Sequence, residues 1–110
     1  MPFDEAVAQR VRKALARQPG ISERKMFGGL AFLLQGNMCC GVLADQLVLR
    51  LGPEASNEAL KQPHVRAMDF TGKAMKSMVY VEPAGYAADA ALRQWVKRAV
   101  EYAAALPAKK

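Results

Sequence analysis

"RKMFGGLAFLLQGNMCCGVLADQLVLRL" (residues 24–51) decides the fold of this chain. Short apolar runs alternate there with turn residues. RKMF runs into Gly28-Gly29, LAFLLQ into Gly36-Asn37, MCCGVL into Ala44-Asp45 and QLVLRL into Gly52-Pro53. Runs of this length, with tight punctuation, read as four short strands between Ile21 and Leu51 joined by hairpins. Leu47, Leu49 and Leu51 fall on one face of the last strand; Gln46, Val48 and Arg50 fall on the other. LAFLLQ is apolar on both faces, as expected of a central strand covered by helices or by a second subunit.

Gly28-Gly29 follow two cations, Arg24 and Lys25, so a phosphate-cradling loop must be considered. Such loops lead from a strand into a helix whose first amides face the anion. LAFLLQ has no helical period, and the stretch has neither G-x-G-x-x-G nor Walker spacing. The two glycines are therefore expected to serve a hairpin, through a positive φ or a bulge. Gly72-Lys73 fails the same test. Ala74 stands where Ser or Thr would hold magnesium, and Ala67 replaces the first glycine.

Upstream, Phe3, Val7, Val11, Ala14 and Leu15 recur at helical spacing over residues 3–18, and Pro19-Gly20 ends the segment. Asp4 and Glu5 suit its first turn. Arg10, Lys13 and Arg17 then form one exposed basic stripe. Downstream, PEASNEALKQPH starts with Pro53 at a first helical position and predicts a short helix on Ala55, Ala59 and Leu60, ending before Pro63. VRAMDF and SMVYVEP read as two further strands, connected by TGKAMK with its turn glycine and two lysines. Residues 89–106 form the strongest helix. Leu92, Trp95, Val96, Ala99, Val100 and Ala103 make a wide apolar stripe, while Arg93, Lys97 and Glu101 face outward, and Lys97 can pair with Glu101. Strands and helices that segregate this way predict an α+β two-layer sandwich, an antiparallel sheet with helices in the order α-β(3-4)-α-β(2)-α.

The chain's 110 residues suit one domain, taken as 1–106 with a short basic tail at 107–110. Sixteen Lys and Arg against ten Asp and Glu give a net charge of +6, which permits an acidic partner. The aromatic content of 7% speaks against a base-stacking platform. No apolar run approaches the ~20 residues of a membrane span, and the acidic, amphipathic N-terminus is unlike a signal peptide. The expectation is a cytoplasmic protein without membrane contact.

Cys39 and Cys40 are adjacent, and neighbours on a regular strand point to opposite faces, so two small buried thiols are expected rather than a metal site. His64 is the only histidine, and a Cys–His pair is the one nucleophilic arrangement the residue types allow. No third partner, nucleophile elbow or carboxylate pair accompanies it, so neither catalytic residues nor a cofactor or metal is assigned. What stands out instead is a cluster of Arg24, Lys25, Arg50, Lys73 and Lys76, interleaved with Met26, Phe27, Met75, Met78 and Tyr80. Cations at strand ends beside apolar side chains suit a groove for an acidic protein, peptide or nucleic acid.

Arg24-x-Met26-Phe27-Gly28-Gly29, with Met38, Leu49-Arg50, Met78, Tyr80, Leu92 and Trp95, resembles the N-terminal domain of the TfoX (Sxy) competence regulators. The likeness runs from the first helix to the last. Arg50 stands where that family often has lysine. The resemblance implies a secretion-chaperone-like two-layer domain that often pairs into dimers. It also implies co-regulation of transcription beside the cyclic-AMP receptor protein. Full-length members carry a second, C-terminal domain, so a stand-alone copy is expected here.

The reading that follows is a non-enzymatic module that binds another protein, such as a transcription factor or polymerase component. Its binding residues would be Arg24 to Gly29, Arg50, Lys73, Lys76 and Tyr80. A homodimer is expected from the doubly apolar LAFLLQ strand. The alternative is direct nucleic-acid binding through Arg10, Lys13 and Arg17, and the remaining one is an enzyme built on the Cys–His pair.

Overall fold

A computed structural model describes residues 3–26, 28–69 and 74–107, without the side chains at 68, 69 and 74–76. The chain runs α1 (Glu5–Ala14), β1 (Ile21–Met26), β2 (Gly29–Leu34), β3 (Asn37–Leu43), β4 (Gln46–Arg50), α2 (Pro53–Ala59), β5 (Val65–Asp69), β6 (Ala74–Val81), α3 (Pro83–Tyr86) and α4 (Asp89–Ala104). All six strands join one antiparallel sheet in the order β1-β2-β3-β4-β6-β5. The expected α+β two-layer class and order are observed, with four strands in the first block and one extra short helix, α3.

Turn chemistry accounts for the meander. Gly28 has φ +76° in the connection between Met26 and its partner Gly29, and the chain then continues as β2 rather than as a helix. The phosphate-loop geometry is absent. The second hairpin turns at Gln35 and Gly36, φ +50° and +85°, one residue earlier than expected, and Asn37 already pairs with Leu34. Two successive positive φ values match the right-handed twist of flanking strands.

One face of the sheet carries the core. Leu30, Phe32, Leu34, Val42, Leu47 and Leu49 point to the helix layer, where Val7 and Val11 of α1 and Leu92, Trp95, Val96 and Ala99 of α4 meet them. Burying an aliphatic or aromatic side chain of this size contributes about 1.5–3 kcal/mol, and this layer supplies most of the fold's stabilisation. β2 is thus buried on its helix side as expected, and its other face contributes Ala31 and Leu33.

β3 departs from simple alternation. Phe32 pairs with Cys40 and Leu33 with Met38, which leaves Cys39 as an extra residue without a counterpart. This bulge turns both cysteines toward the helix layer, where they are fully buried in one cluster. The expectation of opposite faces was wrong because it assumed an unbroken period of two. The Cys40 thiol is held well above its ordinary range by its hydrogen bond with Cys39 and by burial. Both are free, buried thiols, as expected.

The helices depart from the sequence pattern in instructive ways. α1 starts on Asp4, whose carboxylate accepts from the amides of Ala6 (2.9 Å) and Val7 (3.4 Å), and it ends at Ala14, with Arg17 in the turn beyond. α2 buries Ser56 and Ala59, whereas Leu60 is exposed, so its inward face is not the one expected from Ala55 and Leu60. α3 is held at its C-terminal end by two bonds to other elements. The Tyr86 hydroxyl donates to the Asp45 carbonyl, and Trp95 Nε1–H donates to the Gly85 carbonyl at 3.2 Å. No Lys97–Glu101 ion pair forms among the described residues; each head group stays in water.

Gly52 joins β4 to α2 at φ +86°, ψ 164°, a region open essentially to glycine alone. A Cβ there would lie 2.5 Å from the Tyr102 ring of α4, and that ring supports Arg50 with the guanidinium carbon 5.7 Å from its centroid. Gly52→Ala is expected to cost about 3 kcal/mol, combining backbone strain with a displaced ring, measurable as a shifted urea midpoint at unchanged slope.

Arg12 ties the helix layer to the first strand, donating from Nε and Nη2 to Glu23 at 2.8 and 2.9 Å and from Nη1 to Glu5 at 2.8 Å. The hydrogen bond from Arg12 holds the Glu23 carboxyl below the usual carboxylate range, against the opposing effect of burial. A lowered folded pKa contributes stability that is present above the unfolded value and lost as pH falls through the folded one. Because both side chains keep about a third of their surface in water, Glu23→Gln is expected to cost only about 0.5 kcal/mol at neutral pH. Chemical denaturation at neutral and at acidic pH checks the sign: the wild-type advantage is present at neutral pH and is lost as pH falls through the folded pKa of Glu23.

Candidate functional site

The helices pack on one face of the sheet, and the register defines what the other face presents. Ser22, Leu33 and Met38 make one row on β1 to β3, and Arg50 is paired with Met78 on β4 and β6. Arg24, Ala31, Gly41, Val48, Tyr80 and Arg66 make the next. The centre of the second row is small or aliphatic, and both of its ends are arginine. Val48, Met78 and Tyr80 pack as a second apolar cluster, with Met38 and Leu43 against it.

At the β1 side of this face lies a depression of about 580 Å³. Leu33 and Met38 form its floor, Met26 one wall, and Arg24 and Arg50 stand over it. Asn37, also in its lining, is fixed by an amide donation to the Pro107 carbonyl at 2.8 Å. Among the described residues no carboxylate lines the depression, and Arg24 takes part in no ion pair. Two guanidinium groups over an apolar floor can take a carboxylate or phosphate oxygen while an aliphatic or aromatic neighbour sits below. Arg50 is additionally oriented by the Tyr102 ring.

The structure therefore unites Arg24, Met26 and Arg50 of the sequence-derived cluster and separates others from them. Lys25 pairs with Leu30, a helix-side residue, so it stands on the opposite face from Arg24. Gly28 and Gly29 build the hairpin rather than contact a ligand, and Gly29 is buried within β2. Tyr80 belongs to the outer face, yet it lies across the sheet beside Arg66, whose guanidinium carbon is 5.5 Å from its ring centroid. Lys76 lies within β6 rather than in the connection. Phe27 and Lys73, and the side chains of Met75 and Lys76, lie outside the described residues.

Leu33 and Met38 were missed by sequence reading. Leu33 was hidden in a strand apolar on both faces, and Met38 reaches the outer face only because of the bulge at Cys39. The Cys–His pair does not assemble. Both thiols are buried in β3, whereas His64 is exposed ahead of β5, with β4 and β6 between them. Three strand spacings amount to about 14 Å. Among the described residues, no group of three His, Cys, Asp or Glu side chains is placed to hold a metal ion. No helix of the described residues is long and apolar enough to cross a membrane.

Of the basic stripe on α1, Arg10 is committed elsewhere. Its Nη2 donates to the carbonyls of Tyr86 and Ala87 and to Asp89 Oδ1, each at 3.0 Å. Lys13 and Arg17 are exposed and take no part in an ion pair among the described residues.

Comparison with curated proteins and with solved structures finds no match for this chain. The family model of the TfoX N-terminal domain matches residues 13–103, from the end of α1 through nearly all of α4. That span includes every strand of the sheet and the outer-face depression, and the α+β architecture agrees with it. The chain belongs to the TfoX N-terminal domain family.

Proposed function

We propose that this domain is a protein-docking module, and that its outer sheet face takes an acidic segment anchored by an apolar side chain. The reading makes the protein a transcriptional co-regulator acting by contact, with a transcription factor or polymerase component as partner. The observation that carries it is that Arg24 and Arg50 line one depression with Leu33 and Met38, with no carboxylate in that lining among the described residues. Charge complementarity of this kind selects partners and speeds encounter, while the apolar floor supplies the buried contact. A second copy of the chain is a poorer occupant, because its own arginines would meet these across a two-fold axis. A homodimer, if formed, is better placed at the exposed edge strand β1, where Ser22 to Lys25 are all exposed.

The test is a peptide-display selection against the wild-type domain, counter-selected on the Arg24→Ala/Arg50→Ala double variant. Survivors are expected to carry Asp or Glu beside Leu, Phe or Trp, and to bind wild type at least about tenfold more tightly than the variant, as loss of two charge-assisted contacts implies. Survivors without acidic residues, or with equal affinity for both proteins, would refute the docking surface.

A further inference from the structure

We propose that the helix layer carries a second, independent surface: a basic groove between α1 and α4 that binds the phosphate backbone of duplex nucleic acid. The groove encloses about 500 Å³. Arg17 lies on its α1 side and Arg93 and Lys97 on its α4 side, and the buried Leu15 and Val96, with the half-buried Val100, line its apolar base. Arg93 and Lys97 are one helical turn apart, so their charges follow the groove about 6 Å apart. A neighbouring depression, which shares Ala14 and Arg93, extends the groove to Lys13. Its one carboxylate, Asp89, is already held by Arg10.

Lys13, Arg17, Arg93 and Lys97 are all exposed, and none takes part in an ion pair among the described residues. Four uncompensated cations gathered from two segments about 80 residues apart make a concentrated field within the overall +6. An anionic membrane is a poorer fit. Leu60 on α2 is the only exposed large hydrophobic among the described residues, so nothing on this face can insert. An acidic protein is also a poorer fit, since the groove offers no exposed aromatic or Met anchor of the kind that gives protein interfaces their affinity. Single strands need stacking rings, and none lines the groove among the described residues. A duplex backbone needs only positive charge at phosphate spacing, with polar side chains such as Gln18 and Gln94 to donate hydrogen bonds.

The test is fluorescence anisotropy with a labelled 20-base-pair DNA duplex and the full chain. Four neutralising contacts give a log–log salt slope of about −3.6, so affinity falls about a hundredfold between 50 and 200 mM salt. Arg17→Ala/Arg93→Ala flattens that slope by about 1.8, and duplexes of unrelated sequence bind alike. Arg24→Ala, on the other face of the sheet, leaves affinity within about threefold because its charge is screened at that distance. Far-UV circular dichroism and the thermal midpoint of each variant confirm folding, since all these side chains lie at the surface. The proposal is overturned by undetectable binding at 50 mM salt, by a slope the groove variants do not change, or by equal loss in Arg24→Ala. It is also overturned if polyglutamate or phosphatidylglycerol vesicles displace the duplex as readily as unlabelled duplex at equal charge.

Discussion

Two adjacent cysteines can share one face of a strand only if that strand carries an extra residue, and β3 carries it at Cys39. The consequences run both ways across the sheet. Toward the helices, the bulge packs both thiols into the dry layer beneath α1 and α4. Toward the other face, it resets the alternation so that Met38 joins Leu33 beneath Arg24 and Arg50. Without the extra residue Met38 would point at the helices and the depression would lose half its floor. The two surfaces of the domain therefore answer to one local irregularity, supported by the apolar packing of the helix layer.

That layer also explains why the protein can present two different chemistries. Helices cover only one side of the sheet, and their outward faces are free to be basic. The uncovered side must keep its own apolar residues together, which it does through Val48, Met78 and Tyr80. Charge then divides the surfaces further: arginines beside methionine and leucine on the sheet, and four cations around the α1–α4 groove on the helices. A docking module that also touched nucleic acid would hold a partner near a duplex without itself reading a sequence.

Much of the architecture was legible because turn residues and period are local properties. The hairpins at Gly28 and Gly36, the helix ending near Pro107 and the short helix opening with Pro53 all follow from backbone preferences. The bulge was not legible, since a one-residue shift of register depends on what the neighbouring strand pairs with rather than on the strand itself. α3 was hidden for a similar reason: four residues have no period, and Tyr86 and Trp95 define that turn by distant bonds. In the candidate site, Arg24, Met26 and Arg50 were recognisable as cations and apolar residues at strand ends. Lys25 was misplaced because strand alternation was not applied between neighbours. Arg10 was misread as free because its partners, Tyr86, Ala87 and Asp89, lie more than 75 positions away. Arg93 and Lys97 were visible as outward residues of the last helix, but only packing shows that they face Arg17.

The placement of Met38 tests this account most directly. In methyl-labelled protein, nuclear Overhauser contacts from the Met38 ε-methyl should reach the methyl groups of Val48 and Met78 on the outer face. Contacts from Met38 to Val96 or Val100 of α4 instead would mean that β3 runs without its bulge. The depression beneath Arg24 and Arg50 would then not exist.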